Sequence, residues 1–528
     1  MAKLPIDLSG RKGLSNNNSQ PVANNYSAEN GSIVGGTFNP FIREGYLSPA
    51  SGTVSTVAMD NTPVDMVSSL YDPENDHIWL LDSNGQLFKG TSTTDVALTR
   101  EVDLAGTSLD TADYIVNGAR KMFIAYRNGA GDADLAISNF PWDTGTDDLT
   151  WLTATVTGQF SNDLALNDDV ILVPADNGFM YMCMINQIHK IDGTSGGGAS
   201  GTTTANVVVF PNNFSIVDAV DYRGSLFAAV HQYTKHTRVS TIALLKGNPP
   251  VGVIIWNRRS TVVGLDDYIP IPDAKAIHSL YISPNANLRA IVTTSSGMVE
   301  IKEFTGSSFR TIQQVTYGDY PVRRKSVQVM GNMTYFMSKL GVLYAHGSLS
   351  PGKPEGLYKI YTAATPHATN GSSVILPIGG DTTVPPAMYF DYFTAGSARA
   401  VRRLAIQTFA GQYSSENAGA GNVFTPVFDL PLMSTVKYID VYTYKSVNAT
   451  SDEMGQVKVY FNNSSSAFKT ESVTEAKLNR GYFRIELNKA FVDSIQLEII
   501  ADTGETMGTD DFAPSIAVVD YEPTGAKG

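Results

Sequence analysis

Apolar and polar residues alternate along this chain in short runs broken by glycine-bearing turns, with no sustained helical stripe. LLDSNGQLF (80–88), LVPADNGFMYM (172–182), VTTSSGMVEI (292–301) and FMSKLGVLYA (336–345) share one pattern: strand formers, a short polar turn with glycine, then strand formers again. That is the signature of a β-hairpin, in which glycine takes the positive-φ turn position. IAYRNGAGDADLAI (124–137) is a looser copy, and VHQYTKHTRVSTIALL (230–245) has both apolar runs but lacks the glycine. The turn centres fall near 85, 131, 178, 236, 297 and 341.

A further strand-like run precedes each hairpin: MVSSLYD, YIVNGARKMFI, DVILVP, IVDAVDYRGSLFAAV, IHSLYIS and SVQVMGNMTYF. A more polar run usually follows, such as KEFTGSSFRTIQQVTYG (302–318). Three to four strands in each 40–60 residues is the period of a β-propeller blade. A lone hairpin is marginal in water, so such units must stack to bury their apolar faces. Six units are recognisable between 65 and 365, and strands from the two flanks can complete another. The expectation is an all-β chain whose residues 65–365 form a propeller of six or seven blades.

Residues 366–395 turn rich in Pro, Gly and Thr and read as a connection out of the propeller. Beyond them VRRLAIQTF, NVFTPVFDL, VKYIDVYTY, GQVKVYF, GYFRIEL, DSIQLEIIA and SIAVVDY are short strands with polar turns between, the pattern of a β-sandwich. In VKYIDVYTY, strict alternation puts Val436, Tyr438, Asp440 and Tyr442 on one face and Lys437, Ile439, Val441 and Thr443 on the other. The division is thus 1–64, an extended N-terminal arm and first strands; 65–365, propeller; 366–528, connector and C-terminal β-sandwich.

Composition changes this picture little. Only 17% of the 528 residues are charged, and 46 Gly with 25 Pro suit strands and turns. The net charge of −13 comes without a dense basic stripe, which argues against a nucleic-acid binder. Arg258-Arg259, Arg323-Arg324-Lys325 and Arg402-Arg403 read as solvated strand ends. The sole cysteine, Cys183, excludes an internal disulfide framework and reads as a small core residue. The first residues lack the apolar run of a signal peptide, and no window is long and apolar enough to span a membrane. Folding in a cytoplasm is expected, with the Asn-x-Ser/Thr triplets at Asn213 and Asn370 a by-product of polar turns.

Candidate chemistry is sparse. His231 and His236 are close in sequence, but their odd separation on a strand places them on opposite faces, unlike a metal pair. Asp72, Glu74 and Asp76 alternate like calcium ligands, yet the glycine and distal glutamate of an EF-hand are missing. GTSGGGASGTTTAN (193–206) has no lysine and no helix after it, so it reads as a flexible loop. WDTGTDDLTW (142–151) resembles the Asp-box turn of sialidase-type propellers, but its Trp lies too far along and it occurs once. No catalytic, cofactor-binding or metal residue is assigned, no cofactor is expected, and the chain is expected not to be an enzyme.

FNPFIREGYLSPA (38–50) holds two prolines, which exclude a helix and a central strand. Phe38, Phe41, Ile42, Tyr46 and Leu47 need cover, so the stretch reads as an arm pinned on the body or on a neighbouring subunit. Deleting 1–50 is then expected to leave a folded body and to abolish assembly. An NPFIREGYLSPA-like arm, a degenerate propeller and a terminal β-sandwich together resemble bacteriophage tail structural proteins, the nozzle, tail tube B or stabilisation proteins of short-tailed phages. The resemblance implies a homo-oligomeric ring, commonly a hexamer, in the virion tail, assembled in the host cytoplasm. It implies contacts with adaptor and fibre proteins, and viral DNA passing without specific binding through an acidic conduit. The rival expectation is a carbohydrate- or receptor-binding propeller protein of the tail tip that takes a host surface glycan on exposed aromatics.

Overall fold

The computed structural model describes residues 2–8, 14–15, 33–35, 38–39 and 48–49, and the strands and tight turns between 55 and 524. Within that span it omits 60–64, 74–75, 92–97, 104–105, 117–118, 129–132, 140–150, 155–169, 192–202, 211–213, 233–250, 262–266, 322–323, 349–354, 363–373, 379–386, 394–398, 406–421, 426, 445–454 and 502–511.

Seven four-stranded antiparallel sheets follow one another along the chain, here blades 1 to 7. Their first strands are Met66–Asp72, Gly106–Val116, Val170–Pro174, Phe214–Tyr222, Ala274–Ile282, Val327–Met330 and Ile375–Ile378. Each of these inner strands packs against the next, and the seventh packs against the first, so the blades close into a ring. Closure is covalently economical: the outer strand of blade 7 is Ser55–Val57, from before blade 1, paired with Arg399–Ala405 through Val401↔Val57. Apolar clusters fill the seams between blades. Ile78, Leu80 and Phe88 of blade 1 meet Leu376, Tyr389 and Val401 of blade 7, while Trp79 and Leu81 face Met122 and Ile124 of blade 2. Each such side chain, once fully buried, contributes about 1.5–3 kcal/mol.

The propeller matches the expected fold, and the structure corrects its internal bookkeeping. IVDAVDYRGSLFAAV, read as one strand, is itself a hairpin: Phe214–Tyr222 pairs with Ser225–Gln232 across Arg223 and Gly224. Both turn residues are left-handed, φ 49° and 81°, which gives the twist a two-residue hairpin needs. YIVNGARKMFI and SVQVMGNMTYF divide in the same way. The expected partner run at 238–245 lies outside the described residues, and Ser225–Gln232 pairs with Val251–Trp256 instead.

The domain boundary also moves. Residues 366–395 were expected to leave the propeller, but Ile375–Ile378 and Ala387–Phe393 are the first two strands of blade 7, and Arg399–Ala405 is its third. Of the 38–50 arm, Phe38–Asn39 pairs with Ser48–Pro49, and residues 40–47 lie outside the described residues.

After blade 7 comes a nine-stranded sheet. It is hydrogen-bonded continuously: the first part of Tyr482–Ala501 pairs with Phe428–Thr443 and its end with Gly455–Phe461. Both halves feed one core, Val436, Ile439 and Ile485 with Val457, Val459 and Leu497, continuous with Met333, Tyr358 and Phe390 of blades 6 and 7. Two expectations fail here. Ala2–Asp7 is an edge strand of this sheet, with Leu4 opposite Val519 and Ile6 fully buried, so the first residues belong to the body. A register shift between Val436 and Tyr438 inserts Lys437 as a bulge, so Val436 joins the buried face of Ile439 and Val441.

Candidate functional site

Two arrangements concentrate polar and aromatic chemistry. The first lies on the propeller axis. The inner strands of blades 1, 2, 4 and 5 each carry a register shift just before Ser68, Asp110, Asp218 and Ser279. All four residues are buried. Ser68 Oγ donates to Asp110 Oδ1 at 3.1 Å, and the Leu172 N–H of blade 3 donates to Asp110 Oδ2 at 3.0 Å. Asp218 accepts in the same manner from the Leu280 N–H of blade 5 at 2.6 Å. A carboxylate of one blade thus ties down the backbone of the next.

Arg324 spans these carboxylates. It sits on a one-turn 3-10 helix, Arg324–Ser326, that touches the inner strands of blades 1, 5 and 7. Its Nη1 donates to Asp110 Oδ2 at 3.1 Å and to Leu172 O at 2.7 Å, and its Nε pairs with Asp218 Oδ1 at 3.1 Å. Burial pushes the Asp218 carboxyl up to about 6, against the pull of Arg324 and of its backbone donors. These bonds run from blade to blade, so the cluster works as a bolt through the ring.

The second arrangement is the outer face of the C-terminal sheet. Phe428–Thr443 and Tyr482–Ala501 pair with Tyr442 opposite Tyr482, Asp440 opposite Arg484 and Tyr438 opposite Glu486. The intervening Ile439, Val441, Phe483 and Ile485 point into the core, so alternation leaves the first set outside. Tyr442 and Tyr482 stack with centroids 6.2 Å apart and are 42% and 52% exposed. Beside them Arg484 holds Asp440 with two bonds, Nε–Oδ1 2.7 Å and Nη2–Oδ2 2.9 Å, and its guanidinium lies 3.6 Å over the Tyr438 ring. The Asp440 partner raises the Arg484 pKa further, and a hydrogen bond to Asp520 raises that of the Tyr438 phenol. The result is a fixed, flat face with exposed rings and oriented polar edges.

The residues singled out in the sequence fare unevenly. Of the basic clusters, Arg259 is exposed as expected and Arg323 lies outside the described residues, but Arg258, Arg324, Arg402 and Arg403 are not solvated strand ends. Arg258 is buried against Asp176 at 2.6 Å and Asp221 at 2.7 Å, joining blades 3 and 4. Arg402 and Arg403 are only 8% exposed, and Arg324 is the axial bolt. Local sequence could not reveal this, because the acids that Arg258 and Arg324 meet lie 37 or more residues away in the chain. Cys183 is a buried thiol, pushed up to about 12 by burial. His236, Glu74, 142–150 and most of 193–206 lie outside the described residues. His231 accepts from the Ile277 N–H at 3.1 Å, and Asp76 accepts from Tyr71 Oη at 2.9 Å in a blade 1 turn. Among the described residues no group of three or more His, Cys, Asp or Glu is placed to hold a metal, and no helix is long and apolar enough to cross a membrane.

No family model matches the chain, and no curated protein matches it. Among solved structures, a crystal structure of an exo-β-1,3-galactanase from Phanerochaete chrysosporium with galactose is similar over 90% of this chain and 100% of that one, at 10% identity and a TM-score of 0.28. The expectation that the chain is not an enzyme is withdrawn on this finding, since the matching structure is itself an enzyme. At that TM-score the likeness carries no argument for a particular reaction.

Proposed function

We propose that the protein binds saccharides on the outer face of its C-terminal sheet. The observation that carries the reading is the exposed, stacked pair Tyr442 and Tyr482 beside the Arg484–Asp440 ion pair. A pyranose has an apolar face of C–H bonds, whose partial positive charge meets the negative face of an aromatic ring. Tyrosine supplies that surface with little side-chain entropy to lose, and a preformed ion pair meets hydroxyls without reorganising. Binding on a glycan array, followed by calorimetry on the best ligand, tests the reading. Tyr442→Ala and Tyr482→Ala should each weaken binding at least tenfold, whereas Tyr317→Ala, at an exposed tyrosine of blade 5, should leave it unchanged. No binding to any glycan, or equal binding by all three variants, would sink it.

The setting belongs to the same proposal: a homo-oligomeric ring in a phage tail, where a glycan-binding face would meet a host surface. Its support is the resemblance carried by residues 38–50 and a net charge of −13, which suits a wall that DNA passes without sticking. Mass spectrometry of purified virions and electron microscopy of the isolated protein test it. A strict monomer absent from virions refutes it.

A further inference from the structure

The charges around the aromatic pair select among saccharides, and we infer that the face takes neutral oligosaccharides that offer a vicinal diol. The inference rests on the saccharide-binding reading above. Four acids, Asp440, Asp520, Glu486 and Glu522, stand around Tyr438 with three bases, Arg484, Lys3 and Lys437, the last paired with Glu522 at 3.3 Å. Each base stands beside an acid. Arg484 spends two of its nitrogens on Asp440, and Lys3 stands opposite Asp520 in the register. Asp520 is buried and keeps one carboxylate oxygen, Oδ1, without a hydrogen-bond partner. A sugar carboxylate or sulfate would therefore meet net negative charge, with the Arg484 fork already engaged by Asp440.

A neutral diol fits the same atoms. Arg484 Nη1 has donors that Asp440 does not use, and the Asp440 oxygens have lone pairs beyond the two Arg484 bonds. Donor and acceptor stand side by side, which matches two adjacent hydroxyls, one accepting and its neighbour donating. Tyr442 and Tyr482 lie one step along the same strands and would carry the C–H face of the ring next to that diol. Two ring centroids 6.2 Å apart make a surface longer than one pyranose, so an oligosaccharide should bind better than its monomer.

The test uses the full-length protein and four probes: cellotetraose, maltotetraose, tetragalacturonic acid and sialyllactose. The expected result is binding of at least one neutral tetrasaccharide, at least tenfold tighter than either acidic probe. It should change less than twofold between 50 and 500 mM NaCl, since a neutral ligand gives salt nothing to screen. Periodate oxidation of the bound tetrasaccharide, which cleaves vicinal diols, should abolish binding. Arg484→Lys, which keeps the charge and loses the fork, should weaken it at least tenfold with the melting temperature within two degrees of wild type. Asp440→Asn provides a second variant if Arg484→Lys does not fold, with the same loss expected. Tighter, salt-sensitive binding of an acidic probe, or binding that survives periodate, overturns this inference while tyrosine-dependent saccharide binding stands. No binding to any saccharide, on the array included, overturns both.

Discussion

Asp110 and Asp218, on the inner strands of blades 2 and 4, are held by two nitrogens of one guanidinium: Arg324 Nη1 meets Asp110 and Arg324 Nε meets Asp218, each at 3.1 Å. The carboxylates also fix the backbone of blades 3 and 5, so a single side chain from the entry to blade 6 braces most of the ring. Removing it leaves two buried carboxylates facing each other's field. Arg324→Ala should cost about 3–5 kcal/mol, the usual penalty for stranding a buried charge. Denaturant unfolding checks this. Adding Asp218→Asn should return part of the loss, and purely additive losses would show that the pair is not coupled.

The pH dependence of stability has two opposed contributions. Burial depresses His189 to about 4, and burial together with the neighbouring Arg289 cation depresses His346 to about 3. Both fall below the ~6.5 of an unfolded histidine. Their stabilising contribution is therefore complete above pH ~6.5 and is lost as pH falls toward the folded values. Asp218 runs the other way. Raised to about 6 from ~3.9 when unfolded, its contribution is complete below ~3.9 and is lost as pH rises through 6. Melting temperatures from pH 7 to 4.5 at constant ionic strength should fall with acid. The fall should be shallower in His346→Asn and steeper in Asp218→Asn.

The N-terminal strand is part of the body. Ile6 and Leu8 are fully buried, and the Leu8 N–H donates to Ser515 O at 3.0 Å. Deleting 2–8 should expose the core of the C-terminal sheet and lower solubility. Ile6→Ala alone should cost about 2–5 kcal/mol. Unchanged melting after the deletion would return this strand to the role of a detachable arm.

Blade 4 tolerates no side chain at Gly252. A Cβ there would run into the Tyr268 ring and come 2.6 Å from Ile269 O on the outer strand of the blade. Gly252→Ala should destabilise by about 1–3 kcal/mol, as overpacking does. Hydrogen exchange should show faster opening of Tyr268–Pro270, with blade 1 unaffected.

Alternation and turn chemistry are local properties, and they were legible. The hairpins around Gly85, Gly178, Gly297 and Gly341 form as expected, each glycine at positive φ, because a two-strand turn is decided by the few residues that make it. The outward sets Tyr438, Asp440, Tyr442 and Tyr482, Arg484, Glu486 could also be read, one strand at a time. That they pair with each other, ring to ring and Arg to Asp, depends on register across 40 or more residues, which no local pattern carries. The same limit hid the bulge at Lys437, where pairing with both neighbouring strands overrides strict alternation. It hid the strand Ala2–Asp7 beside Pro514–Pro523, whereas the completion of blade 7 by Ser55–Val57 is the pairing of flanking strands that the repeat pointed to. Arg258, Arg324 and Arg402 look alike in sequence, as charged residues near strand ends. Arg258 against Asp176, and Arg324 against Asp110 and Asp218, meet acids of other blades only when the ring closes, because the free energy of a charge depends on what surrounds it in space and not on its neighbours in the chain.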